Sequence, residues 1–478
     1  MSGLKWTTIE AITKALIQII RVYILTKLLS PTDYGIMALV MVVMGFSQIF
    51  VDFGISSAII YKKDNTHKQL SSLYWLNVFL GFIIFSLIFS LRNVFSLHIF
   101  NEPYLAGILK IVAFIFISSG FTTQFNALLR KNLRFQSIAI INIISNFIGF
   151  VVSVILAYLD YGVYSLVIGY TVLSLIKSIL TISSGLKYHK PEFYFNFSDI
   201  TYYLKFGGFQ LSERIVSYLR QQGDSLLIGA FLSTEILGLY NVSKILVTKP
   251  IDLIRSVFGK MAFPVYTSIS DQKQLRKWAV TVCKVVFLAI SPVMLLLIVF
   301  DESIIYYFYG VKWMSAAPYL KLLSILLSVE LLRTTFSPLL LSRGKAKLSF
   351  YFTCGFTLIA LTTFGIALQF SITYALYALI FIEITIIQIM NYHVITKPIL
   401  RFSLKDYVQI IFEVFTPLFV SSIIALIVYH LFLNKNLIYQ NILLYIVGLI
   451  ILVLLYYILN KELVEIIKIK LKEKRLKK

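Results

Sequence analysis

Long apolar stretches separated by short polar segments recur along the whole chain. Fourteen of them are long enough to cross a bilayer core as helices, which takes about 20 residues each. The predicted spans cover residues 7–29, 34–60, 70–91, 104–128, 136–158, 162–184, 202–229, 236–262, 278–300, 317–341, 348–369, 371–395, 409–430 and 439–459. The pattern predicts an all-α polytopic membrane protein with about 14 transmembrane helices.

The composition supports this interpretation. Of the 478 residues, 59% are hydrophobic and 14% are charged, whereas soluble domains average roughly 45–50% and about 25%. A water-soluble enzyme is therefore excluded. The five histidines are dispersed and no phosphate-binding glycine loop is present, so we expect no catalytic site, no metal site and no resident cofactor.

The formal net charge of +22 is explained by membrane topology. Counted in alternate loops, Lys and Arg number 26 on the side of both termini and 3 on the opposite side. Positive residues near span ends are retained in the cytoplasm. We therefore expect a multi-pass membrane protein with both termini cytoplasmic, a basic cytoplasmic tail at 461–478, and membrane lipids rather than nucleic acid as partners.

Basic residues inside the spans are concentrated in three helices. Spans one, seven and eight contain ten of the fifteen Lys and Arg that lie within spans: Lys14, Arg21, Lys27, Lys205, Arg214, Arg220, Lys244, Lys249, Arg255 and Lys260. Each would cost roughly 2.5–3.5 kcal/mol near the centre of a lipid-facing helix. Their helical spacing predicts polar stripes around a water-filled cationic cavity. Internal pairing, such as Glu10 with Lys14, is the alternative for any single pair.

A weak internal repeat relates the two halves of the chain. A shift of 203 residues aligns Leu29 with Leu232, Ser30 with Ser233, and Gly35 with Gly238. Two pseudo-symmetric six-helix lobes are predicted, followed by two extra spans; the domain ranges are 1–190, 200–395 and 409–459. Parallel duplication of this kind is typical of transporters that alternate access between two lobes.

The segment Ile24–Asp64 resembles the opening of Wzx-type polysaccharide flippases, or O-antigen and lipopolysaccharide biosynthesis transporters, of the multidrug/oligosaccharidyl-lipid/polysaccharide (MOP) exporter superfamily. Its specific elements are the turn Leu29–Gly35 and the Asp-Phe-Gly of Asp52–Gly54. The resemblance implies transfer of an oligosaccharide on undecaprenyl pyrophosphate from the inner to the outer leaflet of the bacterial plasma (inner) membrane, through a cavity of spans one, two, seven and eight. It also implies the polysaccharide polymerase and chain-length machinery as candidate partners.

These considerations single out candidate residues. We expect five cations to bind the anionic head group: Lys14, Arg21, Arg214, Arg220 and Arg255. Glu213 and Asp224 are candidates for coupling to H⁺ or Na⁺, and Asp52 with Arg255 is a candidate gate between the lobes. Two other functions stay open at this point: a cation-coupled drug exporter of the same superfamily and a membrane-embedded polysaccharide polymerase.

Overall fold

The structure is a computed structural model that describes residues 2–432 and 438–460. Within these ranges the regular elements are helices, and no strand occurs. The predicted all-α fold is confirmed. Tertiary contacts divide the chain into two compact units, Met1–Asn241 and Val242–Lys478.

The first unit contains eight helices and the start of a ninth among the described residues. They are α1 (Ser2–Leu28), α2 (Pro31–Asp52), α3 (Ile55–Tyr61), α4 (His67–Asn93), α5 (Tyr104–Lys131), α6 (Phe135–Tyr158), α7 (Val163–Gly185), α8 (Phe197–Phe231) and α9 (Thr234–Ser268). A π-helical turn, Val94–Ile99, extends α4. The unit therefore groups the seventh predicted span with the first six.

Among the described residues, the second unit contains the rest of α9, a 3₁₀-helix, Val311–Ala316, and nine further α-helices. They are α10 (Gln272–Val299), α11 (Asp301–Phe308), α12 (Ala317–Phe336), α13 (Pro338–Ser342), α14 (Ala346–Leu368), α15 (Ile372–Ile382), α16 (Gln388–Asn391), α17 (Leu404–Phe432) and α18 (Ile438–Leu459). π-Helical segments, Glu383–Ile387 and Tyr392–Leu400, flank α16. The predicted lobe boundaries stay a prediction, and the basic tail lies outside the described residues.

Eleven helical segments of the described chain are long and apolar enough to cross a membrane. The helices α1, α8 and α9 are comparably long, at 27, 35 and 35 residues, but are not among the eleven. They coincide with the three predicted spans that contain most of the in-membrane cations. The chain is thus a multi-pass membrane protein whose three most charged long helices cannot be recognised by hydropathy alone.

The helices α2 and α9 begin with equivalent caps. At α2 the Ser30 hydroxyl accepts from the backbone N–H of Asp33 (3.2 Å), and at α9 the Ser233 hydroxyl accepts from the N–H of Ile236 (3.3 Å). A serine in this position satisfies an N–H group that the first helical turn leaves without a partner. The serines aligned by the 203-residue repeat therefore perform the same structural role.

Candidate functional site

The helices α2 and α8 pack against each other along much of their length, and an ion pair lies at the far end of α2. Asp52, the last residue of α2, binds the guanidinium of Arg214 on α8 through Oδ2 and Nη1. Arg214 also donates from Nη2 to the Ser57 hydroxyl (3.3 Å). The second carboxylate oxygen of Asp52 accepts from the backbone N–H of Ser56 (3.2 Å). This network satisfies both charges of the pair.

The Asp-Phe-Gly segment breaks the helix immediately after Asp52. Phe53 and Gly54 have φ angles of 43° and 72°, a left-handed conformation that glycine adopts without strain. A Cβ atom on Gly54 would lie 2.7 Å from the Cα of Gly207 on α8, and one on Gly207 would overlap the Phe53 carbonyl oxygen. The break thus lets the two backbones touch beside the Asp52–Arg214 pair.

The polar stripe of α1 meets α6. Lys14 Nζ lies 2.6 Å from Glu10 Oε1, and the same oxygen accepts from the Asn142 amide of α6 (2.8 Å). The internal pair considered as an alternative is therefore present. Asn142 was missed by sequence reasoning, although an asparagine one turn before another, Asn146, in an apolar span is a recognisable signal of a polar helix contact.

Arg21 has a different environment from Lys14. Its Nη2 donates to the backbone carbonyl of Asn146 (3.1 Å), and its guanidinium lies 5.9 Å from the centre of the Phe150 ring. The Nε–H group is buried and has no hydrogen-bond partner. Among the described residues, no carboxylate lies within 4.0 Å of Arg21. The guanidinium retains donors for an acceptor from a ligand.

Of the remaining candidates on α8, Asp224 contacts the first turns of α9. Asp224 accepts a hydrogen bond from the Tyr240 hydroxyl (2.5 Å) and from the backbone N–H of Ser225 (2.7 Å). Arg220 is partly buried on the same helix, one turn before Asp224. Glu213 is exposed. The two predicted coupling carboxylates thus differ, since Asp224 is held by a buried tyrosine and Glu213 is exposed.

Arg255 belongs to a chain of charges in the second unit. Its Nη2 lies 3.6 Å from Glu330 Oε1, and that oxygen also lies 3.1 Å from Arg333 Nη2. Arg333 Nε in turn donates to Glu383 (3.3 Å). The structure thus pairs Asp52 with Arg214 and Arg255 with Glu330, and the Asp52–Arg255 gate stays a prediction.

A metal centre would be an alternative kind of functional site. No group of three or more His, Cys, Asp or Glu side chains in the described part of the chain is placed to hold a metal ion. The charged and amide side chains described above are arginines, a lysine, carboxylates and an asparagine. Such groups can bind and orient a polar head group or exchange a proton.

Residues 24–318 match the family described as polysaccharide biosynthesis protein. The chain belongs to this family. The resemblance to Wzx-type flippases drawn from Ile24–Asp64 is confirmed by this match. Among named proteins, the chain is similar to the teichuronic acid biosynthesis protein TuaB of Bacillus subtilis (strain 168). The two are 28% identical over 89% of this chain and 88% of that protein. The lipopolysaccharide biosynthesis protein WzxC of Escherichia coli (strain K12) is 27% identical over 85% of this chain and 83% of that protein.

Solved structures place this family member in the MOP fold. The lipid II flippase MurJ in its inward closed conformation matches with a TM-score of 0.76 and 16% identity, over 97% of this chain and 99% of that chain. An inward-facing multidrug resistance transporter of the MATE family and MOP superfamily matches with a TM-score of 0.57 and 12% identity, over 80% and 95%. At sequence identities this low, the structural matches establish the fold alone. The substrate must be argued from the residues.

Proposed function

We propose that the protein is a flippase that moves an oligosaccharide linked to undecaprenyl pyrophosphate across the bacterial plasma membrane for cell-surface polysaccharide synthesis. Membership of the polysaccharide biosynthesis family supports the substrate class. The sugar and pyrophosphate cannot enter hydrocarbon without large desolvation costs, whereas the polyprenyl tail is already stable there. The head group therefore travels inside the protein while the tail stays in lipid.

The environment of Arg21 is the single observation that supports this proposal most strongly. A guanidinium in a membrane helix is costly unless it has a partner, yet Arg21 has a buried Nε–H group without an acceptor. Its planar fork of donors matches phosphate oxygens. In the state described, Lys14, Arg214 and Arg255 each have a carboxylate within 4.0 Å. These three become phosphate ligands when the carboxylates release them, and Arg21 binds first.

The two lobes would alternate their access as the head group passes. The repeat-related caps and the match to MOP-fold transporters support this mechanism. The bias of 26 to 3 basic loop residues supports cytoplasmic termini. Entry from the cytoplasmic leaflet and release at the outer leaflet follow from that orientation.

Glu213 and Asp224 are the carboxylates proposed to couple transport to H⁺ or Na⁺. Asp224 is held by the Tyr240 hydroxyl, so protonation of the carboxylate would change a contact between α8 and α9. Transport measured in vesicles under an imposed pH or sodium gradient tests the coupling. If Asp224→Asn and Glu213→Gln both keep the full gradient dependence, neither residue couples the ion.

Complementation of a flippase-null strain tests the function itself. The wild-type gene should restore surface polysaccharide, and Arg21→Gln or Arg220→Gln should abolish the restoration while membrane levels stay normal. Lys27→Gln is the matched control, because Lys27 lies on α1 but is exposed, with its ammonium 5.3 Å from the Tyr23 ring. Normal export from both arginine variants would exclude the proposed head-group site.

A further inference from the structure

A cleft of 390 Å³ opens in the second unit between α10, α17 and the end of α18. Its volume lies within the range of small-molecule sites, about 300–1,000 Å³. The polar residues that line it are Arg276, Lys284, Asp406, Gln409, Glu413 and Asn460. None of them belongs to the head-group site proposed above, and the cleft is independent of the flippase function.

The charged residues of the cleft form two ion pairs. Arg276 Nη2 lies 2.6 Å from Asp406 Oδ2, and Lys284 Nζ lies 2.6 Å from Glu413 Oε2. Two cations and two carboxylates give no net charge. Charge complementarity therefore favours a zwitterionic ligand over a simple anion or cation.

The two cations keep N–H groups that a phosphate could use. A lysine has three donors and an arginine has five, and each cation here uses part of that set on its carboxylate. The Phe402 ring, 4.7 Å from the Arg276 guanidinium carbon, holds the guanidinium in place. The cleft therefore contains a fixed donor set suited to phosphate oxygens.

One hydrogen-bond acceptor of the cleft, Asn460 Oδ1, has no donor among the described residues. Both oxygens of Glu413 are occupied, Oε2 by Lys284 and Oε1 by the Gln409 amide (2.7 Å). Asn460 is 1% exposed, and its Nδ2 donates to the backbone carbonyl of Glu413 (3.2 Å). Its Oδ1 is buried without a hydrogen-bond partner. Buried acceptors are normally satisfied, so this oxygen indicates a ligand that donates an N–H or O–H group.

From these features we propose that the cleft binds the aminoethyl phosphate head group of a membrane phospholipid. The phosphate would accept from Arg276 and Lys284, and the primary ammonium would donate to Asn460 Oδ1. The apolar side chains of Ile458 and Leu459 also line the cleft and suit the acyl esters. Because α17 and α18 are membrane-spanning by length and composition, a bilayer lipid is favoured over a soluble phosphate ester.

Native mass spectrometry of the purified, delipidated full-length protein tests the ligand class. Phosphatidylethanolamine should bind at least about tenfold tighter than phosphatidylcholine, whose trimethylammonium has no N–H to donate to Asn460. Phosphatidylglycerol, an anion, and soluble glycerophosphoethanolamine should both bind more weakly than phosphatidylethanolamine. Equal binding of the ethanolamine and choline lipids, stronger binding of the anionic lipid, or equally tight binding of the soluble ester would overturn the proposal.

A matched pair of variants locates the site. Asn460→Leu keeps the side-chain volume but removes the acceptor, so the preference for the ethanolamine lipid should disappear. Asn441→Leu is the control, because Asn441 is also a buried asparagine, donates to Ser303 (3.2 Å) and does not line the cleft. An equal loss of preference in both variants would contradict the assignment, and the wild-type lipid comparison stands even if Asn460→Leu is unstable.

Discussion

Gly35 and Gly238 face each other with their backbones in contact where α2 and α9 begin. A Cβ atom on Gly35 would overlap the carbonyl oxygen of Thr234, and one on Gly238 would overlap that of Pro31. The 203-residue repeat aligns Gly35 with Gly238 and Pro31 with Thr234, so the contact is reciprocal. A self-complementary contact of this kind is what a two-fold axis produces. The contact between the starts of α2 and α9 is therefore locally symmetric about the two glycines.

Alanine substitution at either glycine should therefore be strongly destabilising. The added methyl group meets backbone rather than a movable side chain, and overpacking of a tight contact costs about 1–3 kcal/mol or more. Gly35→Ala and Gly238→Ala should lower the melting temperature in detergent by similar amounts, because the contact is symmetric.

Gly208→Ala provides the control for that experiment. A Cβ atom on Gly208 would meet nothing within 4 Å, and alanine favours a helix by about 1 kcal/mol over glycine. This variant should keep or raise the melting temperature. Wild-type stability in Gly35→Ala would show that the two helices can separate without cost.

Charge reversal can identify the functional partner of Asp52. The ion pair with Arg214 predicts that Asp52→Arg or Arg214→Asp alone reduces export, since each leaves two like charges in a partly buried contact. The double reversal should restore at least part of the activity. Asp52→Arg combined with Arg255→Asp serves as the comparison, because it tests the gate expected from the repeat. Rescue by the second combination and not by the first would assign Asp52 to Arg255 during transport.

Sequence reasoning located the charged helices but not the partners of their charges. The helix α1 is identified by Lys14 and Arg21 in an apolar stretch, and spacing alone places them on one face. Spacing does not tell which neighbouring helix that face meets. The Asn142 amide and the Asn146 backbone carbonyl of α6, which contact the stripe, come from a distant part of the chain. The sequence-derived stripe was therefore a better guide to which helices are polar than to what they bind.

The gate expected between Asp52 and Arg255 rested on their equivalence in the repeat, since the two positions are 203 residues apart. In the structure the guanidinium that binds Asp52 is that of Arg214. Arg214 is not repeat-equivalent to Asp52 and could not be found by aligning the two halves.

Arg333 should be essential for the stability of the second unit. It is 6% exposed, bridges Glu330 and Glu383, and lies 3.9 Å from the centre of the Phe356 ring. Arg333→Met would leave Glu383 buried without its cation, a change that typically costs about 3–5 kcal/mol. The double variant Arg333→Met with Glu383→Met should be more stable than the single variant, as measured by thermal unfolding in nanodiscs. A double variant that is less stable than Arg333→Met would mean that the Glu383 carboxylate left behind is not the source of the instability.

His189 should make the stability of the protein depend on pH in a defined direction. It lies in the loop before α8, is 3% exposed, and its ring centre is 4.5 Å from that of His67. Burial, with a smaller contribution from His67, lowers the pKa of His189 to about 4. In an unfolded chain the pKa of histidine is about 6.5.

Between these two values the unfolded state binds more protons at this site than the folded state does. The stability that the neutral, buried His189 contributes is therefore fully present above about pH 6.5. The free energy of unfolding then falls as the pH drops from 6.5 toward 4, because protonation favours the unfolded state. Acidification from neutral to about pH 5 should cost about 2 kcal/mol through this group. His189→Gln should flatten the dependence of the melting temperature on pH in this interval, whereas His98→Gln, at an exposed histidine of the segment after α4, should leave it unchanged. If His189→Gln keeps the wild-type slope, the acid sensitivity arises elsewhere in the protein.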